Sequence, residues 1–205
     1  MRRLLLTSAL LVAAPAPAAT PPGWPLAAEV MIAADAARYA PRDLKRQLAK
    51  HRARLMEGVQ AAAAAEKGTR DAAAHRAAAA RAARQIAESI RRHASFADVA
   101  YETGGLVHEV ASASWLSGGP FDPKDAAAAP RSGRFLGFGA SPFAGPEMLA
   151  ASVSAGGGSS AREAYDASVT VSTRLLAWIW KTAGGDASDV GRHPEASGPY
   201  ALRGD

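Results

Sequence analysis

One segment decides the fold: residues 95–116, SFADVAYETGGLVHEVASASWL, are the most apolar internal stretch ahead of the C-terminal helix. Ser95 is a good N-cap, because its hydroxyl accepts a hydrogen bond from a free amide of the first helical turn. We therefore predict a core helix over 95–116 that bends near Gly104 and Gly105. Residues four positions apart share a helix face, so Ser112 stands where a carboxylate would pair with His108 around a metal ion.

Helical patterns continue on both sides of this segment. Apolar side chains recur at helical spacing, and Pro41 separates the first two helices. Residues 117–159 are rich in Gly, Pro and Ser and predict a long excursion, fastened by phenylalanines, with one short helix at 146–152. Since no strand-rich block is present, we expect an all-α, single-domain helical bundle of about five helices. The predicted helices span 26–39, 43–65, 69–93, 95–116 and 160–183.

The N-terminus has the three parts of a secretory signal peptide. Arg2 and Arg3 form the charged region, residues 4–14 the apolar region and residues 16–18 a small-x-small cleavage pattern. The apolar run is shorter than the roughly 20 residues that a membrane-spanning helix needs. We expect a signal peptide over 1–19, no transmembrane segment after its removal, and a secreted or periplasmic protein.

The composition excludes several kinds of chemistry. The 205-residue chain has no cysteine, so disulfides, thiolate metal sites and cysteine nucleophiles are excluded. Its net charge of +5 becomes mildly basic without the signal peptide, which is no specific signal for nucleic acid. We expect a helical domain over 24–186 and a flexible polar tail over 187–205.

A basic face is predicted on the third helix, where arginines project over a broad arc. One interpretation is a patch that binds anionic surfaces. The favoured interpretation is a solvated face of an alanine-rich helix, because no aromatic side chain is interleaved to stack on bases. The arginines of this face are Arg70, Arg81, Arg84, Arg91 and Arg92, of which the last four are the candidate binding residues.

Three further histidines have structural interpretations that we favour over a metal-binding one. His51 lies on the apolar stripe of its helix, and His93 ends a helix where its charge suits the dipole. His75 follows Asp71 by four residues, so the two could share a helix face and a metal ion. An isolated pair in an alanine-rich segment is a weak signal, however.

The order of these features resembles the zinc-dependent phospholipase C and single-strand nuclease superfamily. TGGLVHEVAS, residues 103–112, is similar to the core-helix pattern lG-x-x-x-H-x-x-x-D of that family. Trp24 soon follows the signal peptide, YAPRDLKRQLAKHRARLMEGV (39–59) is similar to an early family helix, and RLLAWIWKTAGGD (174–186) resembles the closing helix. The resemblance covers roughly residues 24–186.

This resemblance implies a helical bundle around three zinc ions, which activate water for attack on a phosphoester. By position, Trp24 matches the N-terminal Trp of the family, Glu29 stands in place of a His, and His108 matches a ligand. Asp122 is the nearest substitute for a further His. The sequence departs from the family at Ser112, which replaces an Asp, and it has no counterpart of the later histidine–carboxylate pair.

The remaining candidate metal ligands are Trp24, Glu29, His108 and Asp122, which are too few for three zinc ions. One zinc ion, held by the last three, is the most that this set supports. We expect an exported, degenerate family member that is non-catalytic. It either binds a ligand or partner, for example a phospholipid or a phosphoester, or has a structural role. The alternative is an active metal-dependent phosphoesterase of phospholipase C or nuclease type. A third interpretation is anionic-surface binding through the arginine-rich helix.

Overall fold

The computed structural model describes residues 23–66, 70–119, 121–131, 133–155 and 160–190. These residues form eight α-helices and no strand, which confirms the all-α class for the described part of the chain. A short 3-10 helix, Ala129–Arg131, follows the sixth. The signal peptide predicted over 1–19 and residues 191–205 of the predicted tail lie outside the described residues. The helices are α1 (Leu26–Tyr39), α2 (Arg42–Lys50), α3 (Arg52–Ala65), α4 (Ala72–Arg91), α5 (Phe96–Gly118), α6 (Pro123–Ala128), α7 (Pro146–Ala155) and α8 (Ala161–Thr182).

The prediction of about five helices is wrong, because the described residues contain eight. The helix expected over 43–65 is interrupted at His51, whose φ of −108° and ψ of 29° are not helical, so it forms α2 and α3. The Gly/Pro-rich excursion contains α6 in addition to α7. Asp122 caps α6 and Pro123 opens it, which is the preferred arrangement at a helix start.

The segment around His108 forms α5, which lies at the centre of the bundle and packs against α3, α4 and α8. Ser95 caps this helix as predicted, by accepting a hydrogen bond from the amide of Asp98. The helix runs uninterrupted through Gly104 and Gly105. A side chain at Gly104 would overlap the carbonyl of Leu55 in α3, so this glycine permits close contact between two helix backbones.

Aromatic side chains fasten the excursion to the bundle. Phe135 and Phe138 are buried, and their ring centroids are 4.9 Å apart. Phe121 packs against Trp24. Phe143, another phenylalanine of the excursion, is exposed. None of the described helices is long and apolar enough to cross a membrane.

Candidate functional site

Glu29 and His108 form a contact between two helices of the candidate site, α1 and α5. Glu29 lies in the first turn of α1, and His108 lies in the middle of α5. The Nδ1 atom of His108 is 2.9 Å from Oε2 of Glu29. Both side chains are buried, with 3% and 6% of their surfaces exposed for His108 and Glu29 respectively. The structure therefore brings together two residues that the sequence had singled out.

A second carboxylate links His108 to another histidine. Glu66 follows the last residue of α3, and its Oε2 atom is 3.2 Å from Nε2 of His108. Its other oxygen, Oε1, is 3.1 Å from Nε2 of His75, which lies near the start of α4. Two imidazoles from different helices thus face the two oxygens of one carboxylate.

His75 has a carboxylate on its other side as well. Its Nδ1 atom is 2.8 Å from Oε2 of Glu109 in α5. Arg70 donates from Nη2 to Oε1 of Glu109, at 3.0 Å, and lies 3.8 Å from Glu66. Each histidine is therefore supported by a glutamate of its own and shares Glu66 with the other. We call these residues the Glu/His cluster: Glu29, Glu66, Arg70, His75, His108 and Glu109.

Charge within the cluster perturbs the acid–base behaviour of its members. Burial by itself lowers the pKa of His108, but the hydrogen bond to Glu29 and the negative charges of Glu29, Glu66 and Glu109 outweigh it, so the pKa is raised. Burial raises the pKa of Glu109, and this is outweighed by hydrogen bonds from His75 and Arg70, so the pKa is lowered. Both shifts favour the charged forms.

One atom of the cluster is left without a hydrogen bond. The Nε2 atom of His108 is buried and lies 3.2 Å from Glu66, but the geometry is not that of a hydrogen bond. Buried polar atoms are rarely left unsatisfied without a reason. This nitrogen, the Nε2 atom of His75 and the carboxylate of Glu66 are donors of the kinds that zinc prefers.

In the structure these candidate metal ligands are not arranged as a metal-binding group. Within the described residues, no group of three or more His, Cys, Asp or Glu side chains is positioned to hold a metal ion. The two imidazoles contact the carboxylate of Glu66 directly. A metal ion can therefore bind between these three groups only if the carboxylate moves away from the two rings. Glu66 lies beyond the end of its helix with 23% of its side chain exposed, a position that permits such movement.

Two of the candidate ligands inferred from the sequence have other partners in the structure. The indole of Trp24 donates to the carbonyl of Ala111, at 3.1 Å, and packs edge-on against Trp115. Asp122 is exposed and accepts a hydrogen bond from the amide of Lys124 as the cap of α6. Within the described part of the chain, no hydrogen bond or ion pair joins either side chain to the Glu/His cluster.

Sequence reasoning missed Glu66 and Glu109 and favoured a structural role for His75. Asp71, the partner considered for His75, instead caps α4 by accepting a hydrogen bond from the amide of Ala74. The available signal was a second histidine on the buried side of an alanine-rich helix. Its meaning depends on α4 packing against α5, which a single sequence does not reveal.

The predicted arginine face is largely paired with acidic side chains. Arg84 forms a two-pronged ion pair with Glu147 of α7. Arg91 and Arg92 both contact Glu88, at 3.1 and 3.8 Å. Arg81 is exposed. These pairs reduce the positive charge that the face offers to an anionic surface.

The chain matches no family model, no curated protein and no solved structure. The fold and the site therefore define its class by themselves: over the described residues it is an all-α protein with a partly buried Glu/His cluster at the junction of α1, α3, α4 and α5. Its function has to be argued from the geometry and charge of that cluster.

Proposed function

We propose that this protein is a non-hydrolytic relative of the zinc-dependent phospholipase C and nuclease superfamily. It binds a single divalent metal ion, for which zinc is the first candidate, in its Glu/His cluster. The ligands are Nε2 of His75, Nε2 of His108 and the carboxylate of Glu66. Glu29 and Glu109 contact the Nδ1 atoms of His108 and His75 respectively and so orient the two imidazoles. This set replaces the one inferred from the sequence, in which Trp24 and Asp122 were candidates.

One observation carries the proposal: the two imidazoles point their Nε2 atoms at one carboxylate, and each has a glutamate at Nδ1. Histidines that bind metals almost always donate their other N–H to a carboxylate, a carbonyl or water, which fixes the ring and raises its basicity. A histidine with a purely structural role needs no such arrangement at both nitrogens, and here two histidines have it.

The charge of the cluster supports a divalent ion. Three glutamates and one arginine leave two negative charges when both imidazoles are neutral. Uncompensated negative charge is costly in a site where Glu29 and both histidines are buried. One divalent cation supplies the two positive charges when the imidazoles act as ligands.

The same features argue against efficient hydrolysis. A zinc ion in a hydrolase polarises the substrate and lowers the pKa of water, and this requires a position that substrate and water can reach. The side chains of His75 and His108 are only 2% and 3% exposed. Ser112 supplies no charge to a second ion, and the amine of Trp24 is bonded to Gly23. We therefore assign the cluster to binding.

Calorimetric titration of the metal-depleted protein with zinc alone tests the proposal. We expect one ion per chain, and we expect the variants Glu66→Gln and His75→Gln to lose binding by at least about tenfold. His51→Gln is the matched control, since His51 lies at the junction of α2 and α3 and outside the cluster. Absence of zinc uptake, or uptake that Glu66→Gln leaves unchanged, would overturn the proposal.

Turnover of a generic phosphodiester by the zinc-loaded protein distinguishes the alternative function. We expect no turnover above that of free zinc. Turnover that disappears in a His108→Ala variant would show a metal-dependent phosphoesterase instead. Circular dichroism of that variant has to confirm that the helical fold is retained, so that lost turnover is not confused with unfolding.

A further inference from the structure

A cavity of about 310 Å³ lies between α1, α2 and α3, in a different place from the Glu/His cluster. Its volume falls at the lower end of the range of small-molecule sites. Each helix contributes residues at positions i, i+3 and i+4, which lie side by side on one helix face. The three sets are Ala34, Ala37 and Arg38 of α1; Lys45, Leu48 and Ala49 of α2; and Arg52, Leu55 and Met56 of α3.

The walls of this cavity are apolar. Leu48 and Leu55 form its deep side and are each 1% exposed, so they also belong to the core of the bundle. Ala37 and Met56 are partly buried and pack against that core. A hydrocarbon group placed here would remove the partly exposed Ala37 and Met56 from water and gain the free energy of apolar burial.

The rim of the cavity is positively charged. Arg38, Lys45 and Arg52 come one from each helix and are all exposed. Arg38 is engaged by the hydroxyl of Tyr39. Among the described residues, Lys45 and Arg52 have no ion-pair partner.

One acidic residue, Asp35, also lines the cavity, but its carboxylate is already in use. It accepts a hydrogen bond of 2.7 Å from the hydroxyl of Tyr165. Its other oxygen lies 3.9 Å from Arg38. The charge at the rim therefore remains positive, and it complements an anionic group at the end of an apolar chain.

We propose that this cavity binds a single-chain amphiphile with a carboxylate head, the chemistry of a medium-chain fatty acid. The hydrocarbon chain lies between Ala37, Leu48 and Met56. The carboxylate lies at the rim, against Lys45 and Arg52. This proposal does not depend on metal binding, since none of these residues belongs to the Glu/His cluster.

Calorimetric titration with octanoate, below the concentration at which it forms micelles, tests the proposal on the full chain. We expect binding of one molecule per chain, with affinity that increases up to roughly fourfold for each added methylene until the cavity is filled. Octanol, with the same chain and no charge, is expected to bind about tenfold more weakly. Octanol binding as tightly as octanoate would overturn the assignment of the head group.

Variants separate the two parts of the site. Ala37→Phe fills the cavity and is expected to abolish octanoate binding, while Lys45→Gln with Arg52→Gln is expected to weaken it about tenfold. The matched control is Arg46→Gln with Lys50→Gln, which removes the same charge from α2 outside the cavity lining. If the control weakens binding as much as the rim variant, or if Ala37→Phe is folded by circular dichroism and still binds octanoate, the proposal is wrong.

Discussion

His108 and Glu29 are in contact, Nδ1 to Oε2 at 2.9 Å, although 79 positions separate them in the sequence. The contact joins the middle of α5 to the first turn of α1 in the interior of the bundle. Glu29 is buried along with His108, so each side chain relies on the other as a hydrogen-bond partner. A buried ion pair of this kind adds little net stability, but loss of one member leaves an uncompensated group.

The variant His108→Ala is therefore expected to be strongly destabilised even without metal. The loss should be about 3 kcal/mol, because Glu29 remains buried and charged or has to take up a proton. Urea unfolding of the metal-depleted protein at neutral pH measures it. A double-mutant cycle with Glu29→Gln is the control: the double variant should be more stable than the sum of the two losses predicts. Strict additivity would contradict the coupling.

The two adjacent glycines of α5 provide a second prediction. Gly104→Ala is expected to lose about 1–3 kcal/mol, because the added Cβ would overlap the carbonyl of Leu55. Gly105→Ala is the matched control within the same dipeptide. A Cβ at Gly105 meets nothing within 4 Å, so this variant is expected to gain about 0.5–1 kcal/mol from helix propensity. Thermal and urea unfolding of both variants measure the difference in stability, and equal effects at the two positions would contradict the packing.

These glycines also show how much of the fold could be predicted from the sequence. The pattern of apolar residues predicted α1, α5 and α8 with ends close to those observed, because each buries one face for several turns. The pair of glycines predicted a bend in α5. The close approach of Gly104 to Leu55 was not predicted, because it depends on the position of α3.

The same limit applies to the candidate site. Glu29 and His108 were identified through a resemblance in order and spacing, and the structure does place them in contact. Glu66 was missed because it lies beyond the end of α3, where no helical periodicity applies. The role of a buried polar residue depends on which helix face lies opposite, and the spacing within one helix carries no such information.

Asp166 provides a prediction on pH dependence outside the cluster. Burial raises the pKa of its carboxyl, although the amide of Arg134 donates a hydrogen bond of 2.6 Å to Oδ1 and Arg162 lies near enough to favour the charge. The pKa of Asp166 in the folded protein is thus higher than its value of about 3.9 in the unfolded chain. The protonated carboxyl therefore contributes its full stability below about pH 3.9, and this contribution is lost as the pH rises through the folded-state pKa.

Asp166→Asn keeps an oxygen acceptor for Arg134 and removes the buried charge. At pH 7 its stability is expected to equal or exceed that of the parent protein, by less than about 1 kcal/mol. Near pH 3 the variant should have lost this advantage. Urea unfolding at pH 3, 5 and 7 measures the trend, and Asp125→Asn, an exposed residue of α6, serves as the control. A variant that is clearly less stable at pH 7 would show that the charge itself is required.

Zinc affinity is expected to fall steeply with acidification. The Nε2 atoms of His75 and His108 can bind a metal ion only through free lone pairs, so zinc and protons compete. The raised pKa of His108 lets protons compete up to a higher pH than at an ordinary histidine. Displacement of the proton of His108 should change the affinity by about tenfold per pH unit on the acidic side.

Calorimetry in buffers with different enthalpies of ionisation counts the released protons directly. We expect proton release that decreases as the pH is raised, because His108 then loses its proton before the zinc ion binds. A zinc affinity that does not change between pH 6 and 9 would mean that the ion binds to carboxylates alone. The two imidazoles would then be structural supports of α4 and α5, held in place by Glu29, Glu66 and Glu109.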